Sequence, residues 1–137
     1  MKSSYTILYA DDDKDDLSII SEAFEKHTDH LRITHAYNGA EALQYLSHMR
    51  HSSILPCLII LDINMPLMGG LEALQEIKKV EEYRNLPVVM FSTSSNPEDR
   101  KLAQSLGADY ITKPARYREW ENLVELFVEK CVIEAQA

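Results

Sequence analysis

Four strand-like segments in this chain each lead into a side chain able to do chemistry. Residues 5–10 run into Asp11-Asp12, residues 58–61 into Asp62, residues 86–91 into Ser92, and residues 108–112 into Lys113. Brought together, the carboxylates repel. A hard divalent cation bound through oxygen relieves that repulsion, and Mg²⁺ with its retained waters is the natural choice. A cation so held screens a phosphoryl group while a carboxylate attacks phosphorus, and the product of that attack is an acyl phosphate. Lys113 would neutralise phosphoryl oxygens, and Ser92 would donate to one of them.

Such convergence needs a scaffold. Leu58-Ile59-Ile60-Leu61 has no polar alternation, as expected of a strand covered on both faces in the middle of a parallel sheet, and Pro66 with Gly69-Gly70 forces a loop after Asp62. Residues 31–36 alternate as a half-exposed edge strand does. Leu17, Ile20 and Phe24 recur at helical spacing to about His27, and Asn38 with Glu41 forms a capping-box-like start to a second helix that gives way to a loop over residues 50–56. Leu71, Leu74 and Ile77 mark a third helix, Asn96-Pro97 opens a fourth that stops at Gly107, and Trp120, Leu123, Val124, Phe127, Val128 and Cys131 stripe a fifth. Strands and helices alternating five times imply an α/β fold with a right-handed, doubly wound parallel sheet. The carboxyl ends of its strands share one edge, where open sheets of this kind place ligands.

The 137 residues amount to one domain, with no linker or repeat. A formal charge of -8 argues against direct contact with nucleic acid. Cys57 and Cys131 have no CxxC spacing and read as two small buried hydrophobes in a reducing compartment. The amino end has no signal-peptide pattern and no run approaches membrane-spanning length, so the expected location is cytoplasmic. Asp13, Asp15 and Asp16 read as solvated or helix-capping, and the pairs His27/His30 and His48/His51 as solvated residues near helix ends.

Asp11-Asp12 after one apolar strand, Leu61-Asp62-Ile63-Asn64-Met65-Pro66 with Gly70 after another, Ser92 after a third and Lys113-Pro114 together resemble the receiver domain of two-component response regulators, over essentially the whole chain. The resemblance implies a flavodoxin-like (βα)5 sheet ordered 2-1-3-4-5 and a signalling domain, not an enzyme, spanning residues 1–137 without an output domain. By it, Asp62 is the phosphoacceptor, Asp12 a direct Mg²⁺ ligand, Asp11 its water-mediated neighbour and the Asn64 carbonyl a further ligand. Ser92 contacts the phosphoryl group, Lys113 precedes a proline that is usually cis, and Tyr110 sits at an aromatic switch position coupled to Ser92. Phosphate is expected from a sensor histidine kinase or histidine phosphotransfer protein. Self-phosphorylation from small phosphodonors, autodephosphorylation, and a homodimer through the fourth helix, fifth strand and fifth helix are further expectations.

The chain is similar, more finely, to stand-alone phytochrome-type response regulators. It departs from the usual receiver pattern at Gly69, where many carry Asp, at Thr93, where a smaller residue is common, and at Ala115, which replaces an aromatic residue. Two other readings compete. Asp11-Asp12-Asp13 also fits the opening of haloacid-dehalogenase-like phosphatases, with Asp11 as nucleophile and Asp13 as acid/base. A phosphorylation-independent interaction module is the third.

Overall fold

A computed structural model describes residues 5–27 and 31–136. Its elements are β1 (Tyr5–Ala10), α1 (Lys14–His27), β2 (Leu31–Ala36), α2 (Gly39–His51), β3 (Leu58–Leu61), α3 (Gly70–Lys79), β4 (Val88–Ser92), α4 (Pro97–Ser105), β5 (Asp109–Thr112) and α5 (Tyr117–Gln136). A single 3₁₀ turn, Glu81–Tyr83, follows α3. The five strands are all parallel and ordered β2-β1-β3-β4-β5. This is the order that the receiver resemblance implies.

The helices form two layers. Ala42 and Leu46 of α2, Ala73, Leu74 and Ile77 of α3 and Ala103 of α4 pack with Leu8, Ile59, Leu61 and Met90 on one face of the sheet. On the other, Ile20 and Phe24 of α1 and Trp120, Val124 and Phe127 of α5 pack with Ile7, Tyr9, Leu58, Ile60 and Phe91. Each fully buried aliphatic or aromatic side chain stabilises this arrangement by about 1.5–3 kcal/mol before entropy is counted. Every residue of β3 and β4 is buried, as their unbroken apolar runs require, while both edge strands are partly exposed.

Local chemistry sets the helix starts. Asn38 Oδ1 accepts from the Glu41 amide at 2.8 Å, and Asn96 Oδ1 accepts from the Glu98 amide at 2.9 Å ahead of Pro97. Gly107 takes φ +82°, the left-handed conformation that ends α4. Helix α2 runs to His51, so the following loop begins slightly later than expected. His48 and His51 are exposed, and His30 lies outside the described residues.

The cysteines require a correction. Cys57, just before β3, and Cys131, in α5, are joined as a disulfide with Cα atoms 4.8 Å apart. They are 74 residues apart in sequence, and packing of α5 over the sheet brings them together where no local spacing hints at a pair. The expectation of two free thiols does not hold.

Candidate functional site

The carboxyl ends of β1, β3, β4 and β5 gather the four groups singled out above. Asp11 is fully buried, Asp62 and Lys113 are each less than a tenth exposed, and Ser92 is buried at the end of β4. The Lys113 ammonium donates to Asp11 Oδ2 at 2.7 Å, to Asp62 Oδ2 at 3.0 Å and to Asp16 Oδ2 at 2.7 Å. All three of its N–H groups are thereby engaged.

Asp16 is the group that sequence reasoning missed. Asp13 does cap α1, its Oδ1 accepting from the amides of Asp15 and Asp16, but the Asp16 side chain turns from solvent to Lys113 and is only 19% exposed. Position in the first helical turn signals a cap. The lysine it meets is 97 residues away, so no local pattern reveals the pair.

Asp11 is fixed from several sides. Tyr9, itself buried, donates from its hydroxyl to Asp11 Oδ2 at 2.8 Å, the Asp13 amide donates to Oδ1 at 2.9 Å, and His35 Nε2 donates to the Asp11 carbonyl at 2.7 Å. Burial pushes the Asp11 carboxyl above the usual carboxylate range, against the pull of Lys113 and the two donors. Burial also opposes the charge on Lys113, but Asp11, Asp16 and Asp62 outweigh it and hold the ammonium protonated above its ordinary value. Tyr9 is held as the neutral phenol by burial and by Asp11.

The Asp62 carboxylate is oriented by the Ile63 amide, which donates to Oδ1 at 2.7 Å. A Cβ on Gly70 would stand 2.0 Å from the Asp62 carbonyl oxygen, and one on Gly69 2.6 Å from that of Ile63. The start of α3 therefore lies directly against the chain that carries Asp62, and Gly69 is the residue this close approach admits. Asn64 and Leu67 are exposed in the loop between, Leu67 with φ +66°.

Ser92 and Tyr110 are linked through Ser94. The Ser94 amide donates to Ser92 Oγ at 3.3 Å, and the Tyr110 hydroxyl donates to the Ser94 carbonyl at 2.6 Å, with the Arg100 guanidinium 4.9 Å from the Tyr110 ring centre. Thr93 is exposed beside them. At the β5–α5 corner, Trp120 donates from Nε1 to the Pro114 carbonyl at 3.1 Å and packs edge-on to Phe91, while Ala115 is exposed. No peptide bond among the described residues is cis, so Lys113-Pro114 is trans, unlike the geometry that the resemblance implies.

Carboxylate oxygens of Asp11, Asp12 and Asp62 lie within 4.8 Å of one another, with Asp12 exposed. This is a hard, all-oxygen donor set, and three carboxylates, those of Asp11, Asp16 and Asp62, share one ammonium. Both features fit a divalent cation of the Mg²⁺ or Mn²⁺ type.

The fold and the acidic cluster at its carboxyl edge are those of a receiver domain of the response regulator family. The response regulator receiver domain model matches residues 7–125, and the chain belongs to that family. The response regulator Rcp1 of Synechocystis sp. is 30% identical over 87% of this chain and 83% of its own length. A probable cyclic di-GMP phosphodiesterase of Vibrio cholerae is 36% identical over 82% of this chain, which spans only 24% of that protein. Among solved structures, the phosphorylated cyanobacterial phytochrome response regulator RcpA superposes with a TM-score of 0.86 at 32% identity, covering 95% of each chain. The Mn²⁺-bound form of Rcp1 superposes with a TM-score of 0.80 at 28% identity, covering 90% of this chain and 91% of that one. Receiver domains are signalling domains that hold Mg²⁺ or Mn²⁺ at the acidic pocket and interact with histidine kinases and phosphotransfer proteins.

Proposed function

We propose that this chain is a phosphorylation-dependent response regulator that accepts a phosphoryl group on Asp62. The observation that carries the reading is the joint engagement of Asp62 and Asp11 by Lys113, at 3.0 and 2.7 Å, beside a three-carboxylate cluster. A phosphohistidine donor loses its N–P bond as an Asp62 carboxylate oxygen forms the new O–P bond, and the imidazole takes up a proton as it leaves. Mg²⁺ would be held by Asp12, Asp62 and the Asn64 carbonyl, with Asp11 as its water-mediated neighbour, and would supply charge screening for the phosphoryl oxygens. Lys113 and Ser92 hold those oxygens from the other side. The same site accepts phosphate from small donors and releases it to water.

The signal passes from Ser92 through Ser94 to Tyr110, and so to the face formed by α4, β5 and α5. It leaves there through a homodimer, a partner protein or onward phosphotransfer. The donor is a sensor histidine kinase or histidine phosphotransfer protein. Nucleic acid and membrane are not direct targets. The phosphatase alternative is disfavoured because Asp13, which it needs as acid/base, is committed to capping α1, its Oδ1 accepting from the amides of Asp15 and Asp16.

Intact-mass spectrometry after incubation with acetyl phosphate and Mg²⁺ tests the reading. One added phosphoryl group is expected, lost with EDTA and in Asp62→Asn and retained in part in Asp11→Asn. Modification that survives Asp62→Asn would overturn it. A wild-type protein that neither gains phosphate nor binds beryllofluoride would favour the interaction-module alternative.

A further inference from the structure

Lys113 must meet phosphoryl oxygens with N–H groups that are already shared among three carboxylates. Two of these acceptors, Asp11 and Asp62, belong to the cation cluster; the third does not. Asp16 comes from the first turn of α1, outside that cluster, and touches the site through Lys113. We propose that Asp16 is a positioning residue that restrains phosphorylation: it holds one Lys113 N–H away from the incoming phosphoryl group and adds a fourth negative charge to a site that must admit an anion. The proposal rests on the receiver reading above.

One charge then acts with opposite sign on two ligands. Asp16 attracts the divalent cation and repels the phosphoryl dianion, so removing its charge weakens the first interaction and favours the second. A residue that merely stabilised the first turn of α1 would move both in the same direction, through loss of folded protein. Phosphorylation from acetyl phosphate forms the Asp62 O–P bond and breaks the donor's O–P bond, with acetate leaving. Asp16 takes no part in the bond changes and alters only where Lys113 can donate.

The test uses the full chain and the variants Asp16→Asn, Asp16→Ser and Asp16→Glu. Calorimetric titration with MgCl₂ gives the cation affinity. Mass spectrometry at saturating Mg²⁺ and subsaturating acetyl phosphate gives the rate of phosphorylation at Asp62. For Asp16→Asn and Asp16→Ser, Mg²⁺ binding is expected to weaken several-fold while phosphorylation accelerates by about tenfold, the gain shrinking at high salt. Asp16→Glu, which keeps the charge, is expected to stay near wild type. Unchanged or slower phosphorylation in the neutral variants, or Asp16→Glu behaving as they do, would overturn the proposal. So would failure of both neutral variants to fold, since the charge would then be a requirement of the structure. If wild-type protein is not phosphorylated on Asp62, the receiver reading itself fails and takes the proposal with it.

Discussion

Lys113 is where burial and charge are most finely opposed. The fold keeps its ammonium protonated, so its contribution to stability is full below the ordinary lysine value of about 10.4 and is lost as pH rises beyond it. Tyr9, held as a neutral phenol, adds loss of the same sign from about pH 10 upward. In metal-free buffer, urea unfolding between pH 8 and 11 should give stability that falls steeply above pH 10, with a shallower fall in Tyr9→Phe; parallel curves would contradict the assignment. Gly70 makes a second residue-scale prediction. Its missing Cβ makes room for the Asp62 carbonyl, so Gly70→Ala should cost about 3 kcal/mol in urea unfolding and slow acetyl phosphate labelling of Asp62.

At the scale of elements, β5 and the β4–α4 loop are tied by the Tyr110 hydroxyl on the Ser94 carbonyl. Tyr110→Phe keeps the ring and removes the tie. A loss of about 1 kcal/mol in urea unfolding is expected, with faster amide exchange confined to the β4–α4 loop and the first turn of α4. Elements were also the level most legible in the sequence. The unbroken aliphatic run of β3, the Asn38 and Asn96 caps and the Gly107 stop each depend on a few adjacent residues, and the structure has all of them. So does the gathering of Asp11, Asp12, Asp62, Ser92 and Lys113, because a parallel sheet puts its strand ends on one edge. Asp16, Tyr9, Ser94 and the pairing of Cys57 with Cys131 were not legible. For Asp16 and the cysteines, side chains of equal local plausibility are selected by partners some 70 to 100 residues away. For Tyr9 and Ser94, residues that read as strand and hydroxyl-cluster members acquire their roles from how the strand ends and loop turn in three dimensions.

For the whole molecule, the disulfide is the main addition to what packing supplies. Closing a loop between cysteines 74 positions apart removes unfolded-state entropy worth about 4.5 kcal/mol on the chain-entropy model, and 2–4 kcal/mol is typical of measured bridges. Reduction should lower urea-unfolding stability by about that amount, and the Cys57→Ser, Cys131→Ser double variant should match the reduced protein and ignore reductant. Oxidised protein whose unfolding is unmoved by reductant would refute the bridge. The bridge also divides the site in a way that the folded shape conceals. Asp62, Ser92, Tyr110 and Lys113 lie on a covalent ring, whereas Asp11, Asp12 and Asp16 lie on an open tail that ends at Cys57 and threads β1 between two other strands. Cut once in the loop before Cys57, the oxidised chain becomes two pieces: a cyclic one carrying the acceptor, hydroxyl and ammonium, and a linear one carrying the remaining carboxylates. The acidic pocket would then exist only as a complex between them, and phosphate uptake would report their reassembly.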